Sequence, residues 1–214
     1  LEMCVLPPRK LLLPAKTRTA PRVTLVLDLD ETLVHSTLED LSPADHTFPV
    51  YFNNQQSMVK MRTRPGLEQF METVAKKFEV VVFTASQRVY AEQVLNLLDP
   101  HRHLIRHRIF RDSCVYVEGN YLKDLSILNR DLRHVVIVDN SPQVFGFQLD
   151  NGIPIESWFD DNSDAELTQL LPFLDRLVDA DDVRPLVADQ FKMRDKIQLA
   201  GTGCSFRDTK WNYS

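Results

Sequence analysis

Residues 24–36 read TLVLDLDETLVHS. Leu25, Val26 and Leu27 form a short apolar run of the kind found in a strand buried on both faces. The run stops abruptly at Asp28 and Asp30. Side chains two apart in an extended chain share a face, so both carboxylates leave the strand together at its C-terminal end. In parallel α/β sheets that end is where ligands bind. Packing gives no reason for two anions there, because an unpaired buried charge is costly. The pair therefore points to a metal, a reacting phosphate, or both.

Outward from this segment, other apolar runs end in similar chemistry. Val80–Phe83 is followed by Thr84, Ala85 and Ser86, and Val135–Val138 by Asp139, Asn140 and Ser141. A fourth, short strand is expected at Ile153–Ile155. Helices are expected between them. One opens at Pro65 and Gly66 with Leu67, Phe70, Met71 and Val74 on one face. One is N-capped by Ser86 and carries Tyr90, Val94, Leu97 and Leu98. One opens at a Ser163–Glu166 capping box and buries Leu167, Leu170, Leu171, Leu174 and Val178. Residues 37–63 read as a polar loop followed by short strands at Pro49–Phe52 and Met58–Met61. Cys114–Val117 and Tyr121–Leu122 flank Glu118, Gly119 and Asn120 as a hairpin. Strands alternating with helices give a doubly wound, mostly parallel, Rossmann-like α/β sheet with a small β insert at about 114–122. Trp158 and Phe159 read as core.

The 214 residues suit one such domain or two small ones, and 43% hydrophobic with 26% charged is an ordinary globular composition. Residues 1–22, rich in proline and basic side chains, read as a linker or surface arm. The domain is expected over 23–190 and a tail over 191–214, with no periodicity from Gln198 onward. A net charge of −5 argues against a general nucleic-acid binder. No apolar run approaches a membrane span, and Leu11–Leu13 is far too short. The chain begins at Leu1 and reads as a fragment whose upstream segments are not visible. Cys4, Cys114 and Cys204 lack metal-site spacing, and their odd number suits a reducing compartment, nuclear or cytoplasmic. Gly201–Gly203 lacks the rest of a phosphate loop, and Asn212–Ser214 matches the glycosylation pattern only at a chain end.

The strand ends can carry out phosphoryl transfer, which needs a nucleophile, an acid for the leaving group and positive charge around the phosphate. Asp28 can be the nucleophile and form an aspartyl-phosphate. Asp30 can protonate the leaving oxygen and then activate water, with neighbouring anions raising its pKa. Lys123, just after the hairpin, supplies a point charge. Thr84 can donate to a phosphate oxygen. Carboxylates and phosphate repel, so a divalent cation is required, and oxygen ligands favour Mg²⁺. Asn140 can supply a neutral oxygen, and Asp139 a carboxylate that touches the metal or holds one of its ligands. A calcium loop starting at Asp28 would find oxygens at Asp28, Asp30, Thr32, Ser36 and Glu39. It would also put Leu33 where glycine is needed and a strand where a helix is needed. His101, Arg102, His103, Arg106, His107, Arg108 and Arg111 form a basic cluster that is either a solvated face or an attractor of phosphorylated segments.

These residues resemble the haloacid dehalogenase superfamily of phosphotransferases, whose four motifs correspond to Asp28–Thr32, Thr84, Lys123 and Asp139–Asn140. More narrowly, Leu25–His35, Phe83–Ser86, Gly119–Leu125, Val138–Pro142 and Ile153–Phe159 are similar to the small phosphatases of the RNA polymerase II C-terminal domain. The small-phosphatase-like-2 subgroup is nearest, on Lys16–Arg18 and Asn151–Trp158. The resemblance implies a Mg²⁺-dependent phosphoserine/phosphothreonine protein phosphatase acting on that domain or another phosphorylated protein segment. It implies metal coordination by the Asp28 carboxylate, the Asp30 backbone carbonyl and Asn140. It implies substrate contacts at Tyr90 and Arg111, with Thr32 of the first motif beside them. Leu38 stands where well-known members are aromatic and Gln87 where they are aliphatic, which bears on the pocket for a substrate proline and not on the chemistry. The alternatives are a catalytically silent scaffold of the same fold and a small-metabolite phosphatase. The inserts look too short for the large cap that a metabolite enzyme would usually need.

Overall fold

The computed structural model describes residues 10–200 apart from 42 and 53, with side chains to residue 197. Cys4, Cys204, Gly201–Gly203 and Asn212–Ser214 lie outside the described residues.

In chain order the strands and helices are β1 (Thr24–Leu27), β2 (Val34–Thr37), β3 (His46–Phe52), β4 (Gln55–Thr63), α1 (Leu67–Lys77), β5 (Glu79–Phe83), α2 (Arg88–Leu98), β6 (His107–Ile109), β7 (Val115–Val117), β8 (Asn120–Leu122), β9 (Val135–Asp139), β10 (Gly152–Pro154), α3 (Glu166–Leu177), α4 (Val183–Phe191) and α5 (Met193–Ala200). The central sheet has the order β10-β9-β1-β5-β6 and is parallel throughout. β1 lies between β5 and β9, so the two valine-rich runs flank it, and every residue of all three strands is buried. Burial on both faces explains why these strands read as continuous apolar runs. Each fully buried valine or leucine there contributes about 1.5–3 kcal/mol. β2, β4 and β3 form a separate antiparallel sheet, and β7 pairs with β8 as the expected hairpin.

Helix α1 buries Leu67, Phe70, Met71 and Val74, the face its periodicity predicts, and Gly66 precedes it at φ +77°, where a side chain would be strained. Elsewhere tertiary contacts overrule local signals. Helix α2 buries Ala91, Val94 and Leu95, while Leu97 is exposed. No side chain caps α2, and Ser86 is used elsewhere. The Ser163–Glu166 capping box does not form. Ser163 bonds Asp161, and the Glu166 N–H donates to Asp164 Oδ1 at 3.3 Å. Helix α3 buries Phe173 and Leu177 in addition to Leu167, Leu170 and Leu174. Trp158 is core, but Phe159 is exposed, with its ring against His35.

Four strands depart from the sequence expectation. β3 and β4 are longer than their apolar centres, and β2 is a strand where a loop was expected to begin. Phe48, Val50, Val59 and Met61 are buried, but Tyr51, Phe52 and Met58 on the same strands are exposed, so hydrophobicity alone does not mark where these strands begin and end. β6 is an edge strand of mostly basic residues and carries no apolar run. The C-terminal boundary also moves. Phe191 and Met193 are buried, the Phe191 ring meets Phe173 edge-on at 5.1 Å, and Arg194 pairs with Asp150 at 2.7 Å. The structured body therefore continues through α5, where a tail was expected. Residues 10–22 contain no helix or strand and lie along the body. The Leu12 N–H bonds Ile127 O, and Lys16 reaches Thr24 and Glu79.

Candidate active site

The C-terminal ends of β1, β5 and β9 bring together Asp28, Thr84 and Asp139. The Asp28 N–H donates to Val138 O at 3.0 Å, extending the ladder to the first carboxylate. The chain then turns tightly. Glu31 sits at φ +56°, and Leu33 and Val34 N–H both bond Leu29 O. This turn returns the Thr32 hydroxyl to Asp28.

Asp28 is held on both oxygens. Lys123 Nζ lies 2.5 Å from Oδ1, and Thr32 Oγ1 donates to Oδ2 at 3.0 Å. Lys123 follows β8 directly and is itself buried, with Nζ 2.6 Å from Asp139 Oδ2. Burial opposes the Lys123 charge, but the charges of Asp139 and Asp28 outweigh it and hold the ammonium above its usual range. Burial pushes Asp139 up to about 7 against the opposing pull of Lys123. The other Asp139 oxygen accepts the Ser141 N–H at 2.8 Å. Each Asp139 oxygen thus accepts one hydrogen bond, from Lys123 or from Ser141, and the carboxylate fixes the Lys123 ammonium beside Asp28.

Asp30 occupies a different environment. Tyr90 Oη donates to its Oδ1 at 2.5 Å and Ser86 Oγ to its Oδ2 at 2.6 Å. Burial raises the Asp30 pKa, and the two hydroxyl bonds oppose the rise. Tyr90 is thus a partner of Asp30 as well as a wall of the neighbouring groove. The Ser86 role was missed because a serine after a strand reads first as a helix cap. The adjacent Thr84 Oγ1 accepts the Ser86 N–H at 2.9 Å, which leaves its own O–H to donate to a ligand. Ser157 was also missed. It accepts from Asn140 Nδ2 at 2.9 Å, turning Asn140 Oδ1 toward Thr32 Oγ1 at 3.3 Å.

Among the described residues no three His, Cys, Asp or Glu side chains cluster as a metal site. Mg²⁺ does not need such a cage, since it keeps several waters and takes one or two carboxylates plus substrate phosphate. Asp28 Oδ2 and Asn140 Oδ1 converge on Thr32 Oγ1 as an all-oxygen set. The Asp30 side chain is turned to Ser86 and Tyr90, so only its backbone could join them. The donor chemistry fits a hard divalent cation.

The cleft over these groups has a volume of about 320 Å³ and includes Asp28, Thr84, Lys123, Asn140 and Arg111 in its walls. Beside it runs a larger groove of about 490 Å³, lined by Leu38, Val50, Phe52, Val59, Gln87 and Val89 among others. Asp30, Glu31, Ser86 and Arg111 border both. Arg111 Nε donates to Ala85 O at 2.5 Å, and its guanidinium stacks on Tyr121 at 4.8 Å. It does not stand among the other cations of the basic cluster, since β6 separates it from His101–Arg106. Cys114 is half-buried, and burial raises its thiol to about 11, which keeps it protonated and unreactive.

Residues 23–184 match the family model described as NLI interacting factor-like phosphatase. CTD small phosphatase-like protein 2 of Dictyostelium discoideum is 56% identical over 193 residues, 90% of this chain and 34% of that protein. CTD small phosphatase-like protein 3 of Caenorhabditis elegans is 51% identical over 86% of this chain and 65% of its own length. Carboxy-terminal domain RNA polymerase II polypeptide A small phosphatase 1 of Homo sapiens is 46% identical over 82% of this chain and 67% of its own length. The chain thus spans about a third of the first relative and 65% of the second. Among solved structures, Fcp1, described as an essential RNA polymerase II CTD phosphatase, superposes with TM-score 0.56 at 22% identity over 88% of this chain and 55% of that one. That likeness bears on the fold.

Proposed function

This chain belongs to the NLI interacting factor-like phosphatase family, and from that premise we propose a Mg²⁺-dependent protein serine/threonine phosphatase acting through an aspartyl-phosphate on Asp28. The observation that carries this reading is the buried bridge from Asp139 through Lys123 to Asp28. It neutralises and aims one carboxylate at an open cleft, and packing alone gives no reason for such an arrangement. A divalent cation held by Asp28, Asn140 and the Asp30 carbonyl supplies charge neutralisation between carboxylate and phosphate.

An Asp28 oxygen attacks phosphorus and the ester P–O bond breaks. Asp30 gives its proton to the departing serine or threonine oxygen. Asp30 then takes a proton from water as the water oxygen attacks phosphorus. The bond to Asp28 breaks, restoring the carboxylate and releasing inorganic phosphate. Lys123 stays protonated and offsets the charge on the transferred group. Thr84 donates to a phosphate oxygen.

A segment of polypeptide suits the open cleft and its adjoining apolar groove better than a small metabolite does. The phosphorylated polymerase C-terminal domain, named in several relatives, is one such segment, and a nuclear or cytoplasmic location follows from a substrate of that kind. Asp28→Asn tests the reading. The variant should stay folded and lose turnover of both phosphopeptide and aryl phosphate, and EDTA should silence the unaltered protein until Mg²⁺ is restored. A folded Asp28→Asn protein with substantial activity would overturn the assignment.

A further inference from the structure

At the opposite end of the sheet from Asp28 stand cations that the reaction does not use. β6 runs parallel to β5 with His107 beside Val81, and the Arg106 N–H bonds Val80 O at 2.8 Å. The segment leading into β6 therefore lies at the N-terminal edge of the sheet. A strand of four residues, about 13 Å, separates it from the carboxylates.

This segment is fixed in place. Buried Asp99 accepts the N–H groups of His103 at 2.8 Å, Leu104 at 3.1 Å and Ile105 at 2.8 Å. Arg102 is held in a left-handed turn at φ +53°. The backbone thus presents the side chains of Arg102, His103 and Arg106 to solvent. The acid nearest Arg102 is Glu92, at 3.9 Å across an exposed surface. Neighbouring cations are treated differently. Arg108 is bound to Asn96 and to two backbone carbonyls, and Arg130 is paired with Glu79 at 2.7 Å.

Between this segment, the end of α1 and residues Thr17–Pro21 lies a cleft of about 290 Å³. Arg102, His103 and Arg106 form one wall, and Thr17 and Thr19 contribute to the other. Glu79 also reaches the wall, but its carboxylate is buried and occupied by Arg130, Thr24 and Lys16. Two guanidiniums, an imidazole and two hydroxyls with no free acid among them are suited to a phosphoryl dianion, because planar guanidinium forks match its oxygens.

We propose that this cleft is a second, non-catalytic site that docks a phosphorylated polypeptide segment. Polypeptide is favoured over a membrane because the lining holds no lysine run, and over nucleic acid on overall charge. The net charge of −5 repels long polyanions. The inference does not depend on the reaction at Asp28, since binding is measurable whether or not phosphate is released.

The test is a titration of ¹⁵N-labelled protein in EDTA with a glutamate-flanked phosphoserine peptide. Amides of 101–106 and 17–20 should shift with their own saturation curve. In Arg102→Glu/Arg106→Glu the apparent Kd read there should rise at least tenfold, while shifts at Thr84–Ser86 persist. Arg102→Gln/Arg106→Gln gives a milder version should charge reversal perturb folding. Unchanged aryl-phosphate turnover would confirm an intact catalytic end in either variant. The proposal is overturned if amides 101–106 stay still or if their Kd is the same in the variants. It is also overturned if inorganic phosphate, a short RNA or anionic vesicles bind through these residues as tightly as the peptide.

Discussion

Tyr90 Oη donates to Asp30 Oδ1 at 2.5 Å, across the boundary between the catalytic cleft and the apolar groove. This bond favours the ionised carboxylate, whereas burial favours the protonated one. Removing the hydroxyl therefore moves the Asp30 pKa further up. In Tyr90→Phe, the limb of the kcat–pH profile that reports Asp30 should move to higher pH, and kcat on a phosphoserine peptide should fall about tenfold. An aryl phosphate, whose leaving group needs less protonation, should lose less. A profile superimposable on the parent's would show that Tyr90 serves only the groove.

Arg64 is buried, with Nε and Nη2 each 2.7 Å from Asp164 and Nη1 3.1 Å from the Thr32 carbonyl. It thus holds the backbone of the residue whose hydroxyl holds Asp28. Breaking a buried pair costs about 3–5 kcal/mol, so stability alone cannot reveal a positioning role. Two variants separate the effects. Asp164→Asn weakens the pair and leaves Arg64 on Thr32, while Arg64→Lys cannot reach both. Both should lower Tm, but only Arg64→Lys should also lower kcat about tenfold or more, measured well below either Tm. Equal kcat in the two would assign Arg64 to stability alone.

What the sequence disclosed about this molecule follows from how each residue acts. Asp28, Thr84, Lys123 and Asn140 could be found because each follows a strand or hairpin whose apolar pattern is local, and the parallel register does the rest. Ser86 and Ser157 could not, because their partners Asp30 and Asn140 are distant in sequence and a serine after a strand has a simpler local reading. β6 escaped notice for a related reason. An edge strand built of His107 and Arg108 carries no hydrophobic period, and only its pairing with Val81 and Val82 makes it a strand. The same pairing divides the run of basic residues into two ends of the sheet, which spacing alone presented as one cluster.

Glu79 opens β5 at the N-terminal edge of the sheet and is buried among Arg130, His107, Thr24 and Lys16. Burial pushes its carboxyl up, but the bonds from Arg130, His107 and Thr24 and the charge of Lys16 outweigh this and hold it well below the usual range. A depressed pKa gives stability that is present above the unfolded value and lost as pH falls through the folded one. Urea unfolding of the parent should therefore weaken progressively below about pH 4.3, the ordinary glutamate value. Glu79→Gln should cost about 3–5 kcal/mol at pH 7, by stranding Arg130, and should lack that acid-dependent component. An identical pH slope in the two proteins would show that other carboxylates govern acid unfolding.

Arg111 borders both the catalytic cleft and the groove, so it can touch the transferred phosphate, the flanking peptide, or both. Its backbone N–H bonds Ser86 O at 3.2 Å, a contact that survives truncation of the side chain. The side chain stacks on Tyr121 and donates to Ala85 O, and neither contact involves the Lys123–Asp28–Asp139 bridge. Contacts to remote parts of a substrate affect only substrates that possess those parts. Arg111→Ala should therefore lower kcat/KM for a phosphopeptide by about tenfold or more and leave an aryl phosphate nearly untouched. Lys123→Ala should cripple both, because it removes the one cation between two buried carboxylates. If Arg111→Ala depresses both substrates equally, the guanidinium acts on the phosphate or on the Thr84–Ser86 turn, and a separate role in peptide recognition is wrong.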